Sequence, residues 1–80
     1  MNCEEINRII AEAQSGGVPD NLTSLLTVLR AFQCSEGFVE VVNERNRLVR
    51  GCEDAIWTMR SNGVEPHPDV LRLIEHFKHA

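Results

Sequence analysis

Apolar residues along this chain recur at steps of three and four, the spacing that places them on one face of an α-helix. The longest such pattern is a heptad seam that begins at Phe38 and ends at Met59. Its members are Phe38, Val42, Arg45, Val49, Cys52, Ile56 and Met59, and Val41, Leu48 and Ala55 form a second apolar row beside them. The pattern predicts one long helix over residues of about 36–62, with an apolar stripe wide enough to contact more than one neighbour.

Three shorter amphipathic segments surround this seam. Asn2 and Asp20 are predicted caps of the first two, and Pro68 fits the first turn of the last. Their predicted buried positions are Ile6, Ile9, Ile10 and Ala13, then Leu22, Leu25, Leu26, Leu29 and Phe32, then Val70, Leu71, Ile74 and Phe77. Because no strand pattern competes, we expect an all-α fold: a single helical domain over residues 1–80, built as a small bundle of three to four helices around the long one.

Two residues of the predicted long helix break its pattern. Arg45 places a permanent cation between seam positions that are filled by valine, where burial without a counter-charge would cost several kcal/mol. We expect Arg45 to extend toward solvent, to pair with a carboxylate, or to contact a partner. Gly51 destabilises a helix by about 1 kcal/mol relative to alanine. It indicates a close approach of another backbone or a bend in the helix, or it has no structural role.

Composition and charge limit the class of protein. The 80 residues are 42% hydrophobic and 25% charged, with a net charge of −4. These are ordinary globular values, and no apolar run is long enough to cross a membrane. The acidic balance disfavours nonspecific binding to nucleic acid or to anionic membranes, which requires clustered Lys and Arg. The chain begins with acidic residues where a secretory signal has basic ones, so we expect a soluble, cytoplasmic protein.

Cysteine and histidine give weak indications of chemistry. Cys3, Cys34 and Cys52 form no Cys-x-x-Cys unit, so free cytosolic thiols are the simplest interpretation. Whether Cys34, near a helix junction, is reactive stays open. The histidines, His67, His76 and His79, lack a companion set of metal ligands, and whether they do anything beyond being exposed stays open. No nucleophile is paired with a base and no phosphate-binding loop is present, so we predict a protein without catalytic activity, metal or cofactor.

The candidate binding residues all belong to the long helix: Trp57, Arg45, Arg47, Arg50 and Met59. Trp57 is the only tryptophan and lies one position beyond the seam residue Ile56. It either packs against the fourth helix and its connector or anchors an interface, since aromatic residues and arginine dominate binding hot spots. Arg47 and Arg50 are expected on the solvent side, where Glu44 and Asp54 are close enough to neutralise them.

The function predicted from these features is protein binding. We expect an adaptor, subunit or inhibitor that acts on a partner protein through the free flank of the long helix, and that forms a homodimer. The alternative is a DNA-binding transcriptional regulator of helical type. Against it, the long helix opens with Glu36, Glu40 and Glu44, which would repel phosphates.

Overall fold

The computed structural model describes residues 1–34 and 42–79, and of Val42 the backbone alone. The described residues form four helices: α1 (Cys3–Ser15), α2 (Asp20–Cys34), α3 (Val42–Ser61) and α4 (Pro68–Lys78). Each helix packs against its neighbour in sequence, and α4 also packs against α1. The prediction of an all-α bundle of three to four helices is therefore confirmed, with four.

Helices α1 and α2 form an antiparallel pair, the α1–α2 hairpin. Asn2 caps α1 as predicted, since its side chain accepts a hydrogen bond from the Glu5 backbone N–H at 2.8 Å. The turn between the helices uses Gly17 at φ 81°, a left-handed conformation that favours glycine. A disulfide joins Cys3, at the start of α1, to Cys34, at the end of α2. The open end of the hairpin is thus closed covalently.

The Cys3–Cys34 disulfide corrects the prediction of free thiols for these two residues. The antiparallel packing brings positions 31 residues apart to a Cα–Cα distance of 5.8 Å, well within the range that a disulfide spans. An odd number of cysteines excludes complete pairing but leaves one pair possible. Only Cys52 remains a free thiol among the residues described, and it is buried.

Helix α3 is the longest of the four at 20 residues, or about 30 Å, and is continuous through Gly51. The predicted start at residue 36, the seam position Phe38 and the second-row position Val41 lie outside the described residues. Gly51 faces α2, where an added Cβ would meet Leu25 Cδ1 at 3.1 Å. Of the interpretations of Gly51, the structure therefore supports the close approach rather than a bend.

Helices α3 and α4 form the second pair, the α3–α4 hairpin. Gly63, at φ 79°, ends α3 as predicted, and the Val64 N–H donates to the Met59 carbonyl oxygen at 2.9 Å. Pro68 is the first residue of α4, also as predicted. His67 caps this helix, because its Nδ1 accepts a hydrogen bond from the Asp69 N–H at 3.1 Å. The histidine thus has a structural role that the sequence did not reveal.

One core unites the four helices. Its buried apolar residues are Ile6, Ile9, Ile10, Ala13, Leu22, Leu26, Leu29, Val49, Cys52, Ala55, Ile56, Met59, Val70, Leu73, Ile74 and Phe77. The predicted stripes of α1 and of the described part of the seam are largely confirmed. Leu73, fully buried, was missed, whereas Leu71 and Leu25 are only partly buried. None of the helices in the described ranges is long and apolar enough to cross a membrane.

Candidate functional site

The side of α3 that faces away from the core exposes the largest apolar side chain of the described surface. Trp57 is 71% exposed, although its neighbour Ile56 is only 6% exposed. Trp57 therefore does not pack fully against α4 or its connector, which was one of the two predicted positions for it. It lies at the edge of a groove of about 360 Å³ between α3 and α4, lined by Glu53, Ile56, Trp57, Arg60, Leu71, Ile74 and Glu75. We call this the α3–α4 groove.

Charged side chains flank Trp57 along this groove. Glu53 lies four residues before it and contacts Lys78 of α4, with 3.6 Å between Oε2 and Nζ. Arg60 lies three residues after it and contacts Glu65 of the connector, with 3.1 Å between Nη2 and Oε1. Glu53 and Arg60 each keep half of their side-chain surface in contact with solvent. Such exposed ion pairs contribute only about 0–1 kcal/mol, so both charges are available to a partner at low cost.

The other predicted binding residues of α3 lie on different faces. Met59 is 6% exposed and belongs to the core, so it shares no outer surface with Trp57. Arg45 is partly buried, and its Nε atom is shielded from solvent. Met59 and Arg45 are both seam positions, and the seam faces the core. The structure thus separates these two residues from the Trp57 surface.

Arg47 and Arg50 form a second exposed group, nearer the start of α3. They line a shallow depression of about 270 Å³ together with Asn43 and Asn46. Arg47 pairs with Glu44 at 3.5 Å, as predicted for a solvated charged face. This group differs from the α3–α4 groove because it is polar throughout.

A third concave region lies at the end of the bundle where α1 meets the connector before α4. Its volume is about 290 Å³, and it is lined by Ile9, Glu12, Ala13, Gly16, Gly17, Val18, Met59, Val64, Glu65, Pro66, His67 and Asp69. This end cleft has an apolar floor and an acidic rim. Its His67 and Asp69 already serve the cap of α4.

The sulfur atoms of the three cysteines are either bonded or buried in this arrangement. Burial, reinforced by the charge of Glu53, raises the pKa of the Cys52 thiol to about 12, so this thiol stays protonated and unreactive near neutral pH. Cys34 is consumed by its bond to Cys3. Across residues 1–34 and 42–79, no three His, Cys, Asp or Glu side chains come together to hold a metal ion.

The sequence prediction named Trp57 but not the side chains that flank it. Glu53 and Arg60 stand seven residues apart, two helical turns, and therefore share one side of α3 with each other and an edge with Trp57. A helical projection centred on Trp57 would have found them. Leu71 could not be found in this way, because its position beside Trp57 depends on how α4 packs against α3.

No model of a protein family matches this chain, and neither the curated proteins nor the solved structures that were searched gave a match.

Proposed function

We propose that this protein is a small, non-enzymatic protein-binding module, an adaptor, subunit or inhibitor of a partner protein, whose docking surface is centred on Trp57. The single observation that carries the proposal is the 71% exposure of this indole on the rim of an apolar groove. Covering an indole that exposes most of its surface would contribute roughly 3–4 kcal/mol at 25 cal/mol per Å². One anchor of this size is typical of a binding hot spot.

The surroundings of Trp57 support docking rather than chance exposure. Leu71, which is only partly buried, extends the apolar surface from Trp57 onto α4, so a partner would cover more than one isolated ring. Glu53, Arg60 and Glu75 place charges around the rim. An apolar centre with a polar rim is the usual anatomy of a protein interface.

Affinity capture with matched variants tests this proposal. Wild type, Trp57→Ala and Val28→Ala are compared as baits in extracts of cells that express the protein; Val28, 43% exposed on α2, is the control for loss of an exposed apolar residue elsewhere. We expect a partner that wild type and Val28→Ala retain and Trp57→Ala loses. The captured protein is then purified and titrated into the wild type, with a shift of the Trp57 emission as the readout. Equal capture by all three baits would contradict the proposal.

The alternative function, DNA binding, draws support from the exposed group of Asn43, Asn46, Arg47 and Arg50. Asparagine and arginine are the residues that most often read adenine and guanine in the major groove. Against it stand the Glu44–Arg47 ion pair and the net charge of −4. Duplex DNA affinity that falls steeply with salt and is lost in Arg47→Ala/Arg50→Ala would favour the alternative over protein binding.

The cytoplasmic location expected from the sequence stays a prediction, and the Cys3–Cys34 disulfide weighs against it. Disulfides persist in oxidising compartments and are rare in the reducing cytosol. Alkylation of free thiols immediately upon cell lysis distinguishes a reducing from an oxidising compartment. If Cys3 and Cys34 react with the alkylating reagent before any reductant is added, they are free thiols and the protein is cytosolic. If they react only after reduction, the disulfide exists in the cell and the compartment is oxidising.

A further inference from the structure

Six exposed residues of α3 form a continuous outer surface, which we call the α3 strip: Arg50, Glu53, Asp54, Trp57, Arg60 and Ser61. They follow one another at steps of three and four, so all lie on one side of the helix. Within the strip, Glu53 and Arg60 are on the edge next to α4, because both line the α3–α4 groove. Asp54 and Ser61 follow the opposite edge.

The strip has charges of opposite sign at similar distances on the two sides of Trp57. Glu53 lies about 6 Å before Trp57 along the helix axis and Arg60 about 4.5 Å after it, at a rise of 1.5 Å per residue. When two antiparallel helices pack about a two-fold axis, each edge of one meets the same edge of the other in reverse order. With Trp57 at the axis, Glu53 of either chain comes opposite Arg60 of the other. The other edge brings Asp54 opposite Ser61, whose hydroxyl already donates to the Trp57 carbonyl oxygen of its own helix at 2.9 Å, so the register depends on the Glu53–Arg60 pairs.

We infer that the occupant of this docking surface is a second copy of the same chain, packed with its α3 antiparallel and with Trp57 at the two-fold axis. The inference rests on the proposed function, since it names the partner of that same site. The two indoles would cover each other at the centre, and two identical Glu53–Arg60 pairs would fix the register on either side. A register shifted by one helical turn would separate both pairs.

Charge balance favours a second copy over a strongly charged partner. The strip has two acidic and two basic residues, although the whole chain has a net charge of −4. A basic peptide would meet Arg50 and Arg60, and an acidic one would meet Glu53 and Asp54. The existing contacts of Glu53 with Lys78 and of Arg60 with Glu65 are exposed, so they can be shared with the second copy at small cost.

The area available limits the size of the interface, and the quality of its central contacts decides its strength. A stable interface of standard size covers about 800 Å² on each partner, which compares with a total accessible surface of 5047 Å² for this chain. The strip must therefore be joined by the edge of α4 around Leu71 to reach that size. We expect a dimer dissociation constant in the micromolar range.

Sedimentation equilibrium combined with tryptophan fluorescence tests the inference. The chain has one tryptophan and no tyrosine, so its emission reports on position 57 alone. From about 1 μM to 1 mM, the range that brackets a dimer of this strength, we expect the mass to double and the emission to shift to shorter wavelength over the same concentrations. Trp57→Ala should remain a monomer, and Val28→Ala should dimerise like the wild type.

Charge exchange tests the register. Glu53→Arg alone and Arg60→Glu alone should each weaken dimerisation at least tenfold, because each places two like-charged pairs across the interface. An equal mixture of the two variants should form a heterodimer, since both pairs are then opposite in charge. The double variant Glu53→Arg/Arg60→Glu should dimerise by itself for the same reason. Glu4→Arg, a reversal of an exposed charge on α1, serves as the matched control and should leave dimerisation unchanged.

The outcomes separate this inference from the proposed function. A chain that is monomeric at 1 mM, or a dimer that is indifferent to Glu53→Arg, overturns the inference. If that monomer still captures a different protein through Trp57, the proposed function stands alone. If Trp57→Ala also leaves every captured protein unchanged, both fall.

Discussion

The two hairpins of the bundle bury similar apolar stripes but are secured differently. The α1–α2 hairpin is closed at its open end by the Cys3–Cys34 disulfide. The described contacts between α3 and α4 are packing and exposed ion pairs, such as that of Lys78, at the end of α4, with Glu53, in the middle of α3. The second hairpin also presents Trp57 to solvent. The comparison teaches that the disulfide and the proposed docking surface lie in different hairpins, so we expect that either can be changed without loss of the other.

Removal of the disulfide is the strongest way to test this division. A crosslink that closes a loop of this length restricts the unfolded chain and is expected to stabilise the fold by about 3–4 kcal/mol. Cys3→Ser/Cys34→Ser should lower the free energy of unfolding by that amount, measured by urea denaturation. The wild type should lose as much in a dithiol reductant, whereas the double variant should not respond to it. An unfolding midpoint that is the same in all four conditions would contradict the assignment of stability to the first hairpin.

The close approach of the two hairpins at Gly51 is the next test. Gly51→Val should destabilise the fold by about 1–3 kcal/mol, because the added methyl groups would overlap Leu25, which already lies 3.1 Å from a Cβ built at this position. Gly51→Ala should be nearly neutral, because the gain in helix propensity offsets a contact with the movable end of a leucine.

A double-mutant cycle identifies the contact responsible. Leu25→Ala is expected to destabilise the wild type but to relieve part of the cost of Gly51→Val, giving a nonadditive pair. Additive effects in chemical denaturation would mean that Gly51 is required for a reason other than its distance from Leu25.

Local sequence rules account for most of the fold. Asn2, Gly63 and Pro68 predicted helix ends correctly because caps and terminators act through the adjacent backbone. Stripes at three- and four-residue spacing predicted most of the core, because helical periodicity is also a local property of the sequence. The pairing of Cys3 with Cys34 was missed because it depends on the antiparallel packing of two helices, which leaves no trace in the local sequence.

The candidate site was predicted less completely than the fold. Trp57 was identified because it is off the apolar stripe, and Met59 was included although the same stripe places it in the core. Burial of one side chain and exposure of the other follow from which side of α3 the neighbouring helices cover. The pattern along α3 was therefore enough to exclude Met59, whereas the position of Leu71 beside Trp57 depends on how α4 packs against α3 and could not be predicted from α3 alone.

The caps of α1 and α4 offer a smaller test of how the two hairpins compare. Asn2→Ala should cost about 1 kcal/mol, since asparagine is among the best capping residues and its side chain accepts the Glu5 N–H at 2.8 Å. His67→Ala should cost about half as much, because Pro68 still fixes the first turn of α4. Gln14→Ala, an exposed change within α1, should stay within about 0.5 kcal/mol of the wild type in the same urea titration. A larger loss for His67→Ala than for Asn2→Ala would reverse this order.

The smallest expected effect is a pH dependence at His76, where the ends of α2 and α4 meet. His76 Nε2 lies 2.8 Å from Gln33 Oε1. Partial burial and, to a smaller extent, the positive charge of the N-terminal amino group lower the pKa of the imidazole below its usual 6.5, even though Glu5 acts in the opposite direction. Between that lowered pKa and 6.5, the unfolded chain binds a proton that the folded chain does not, so stability should fall as the pH drops through this window and change no further below it. Solvent screening keeps the loss small. Urea titrations from pH 7.5 to about 5 should show this decline in the wild type. His76→Gln keeps a hydrogen-bonding group without an ionisable one, and a decline of equal size in that variant would assign the pH dependence to other groups.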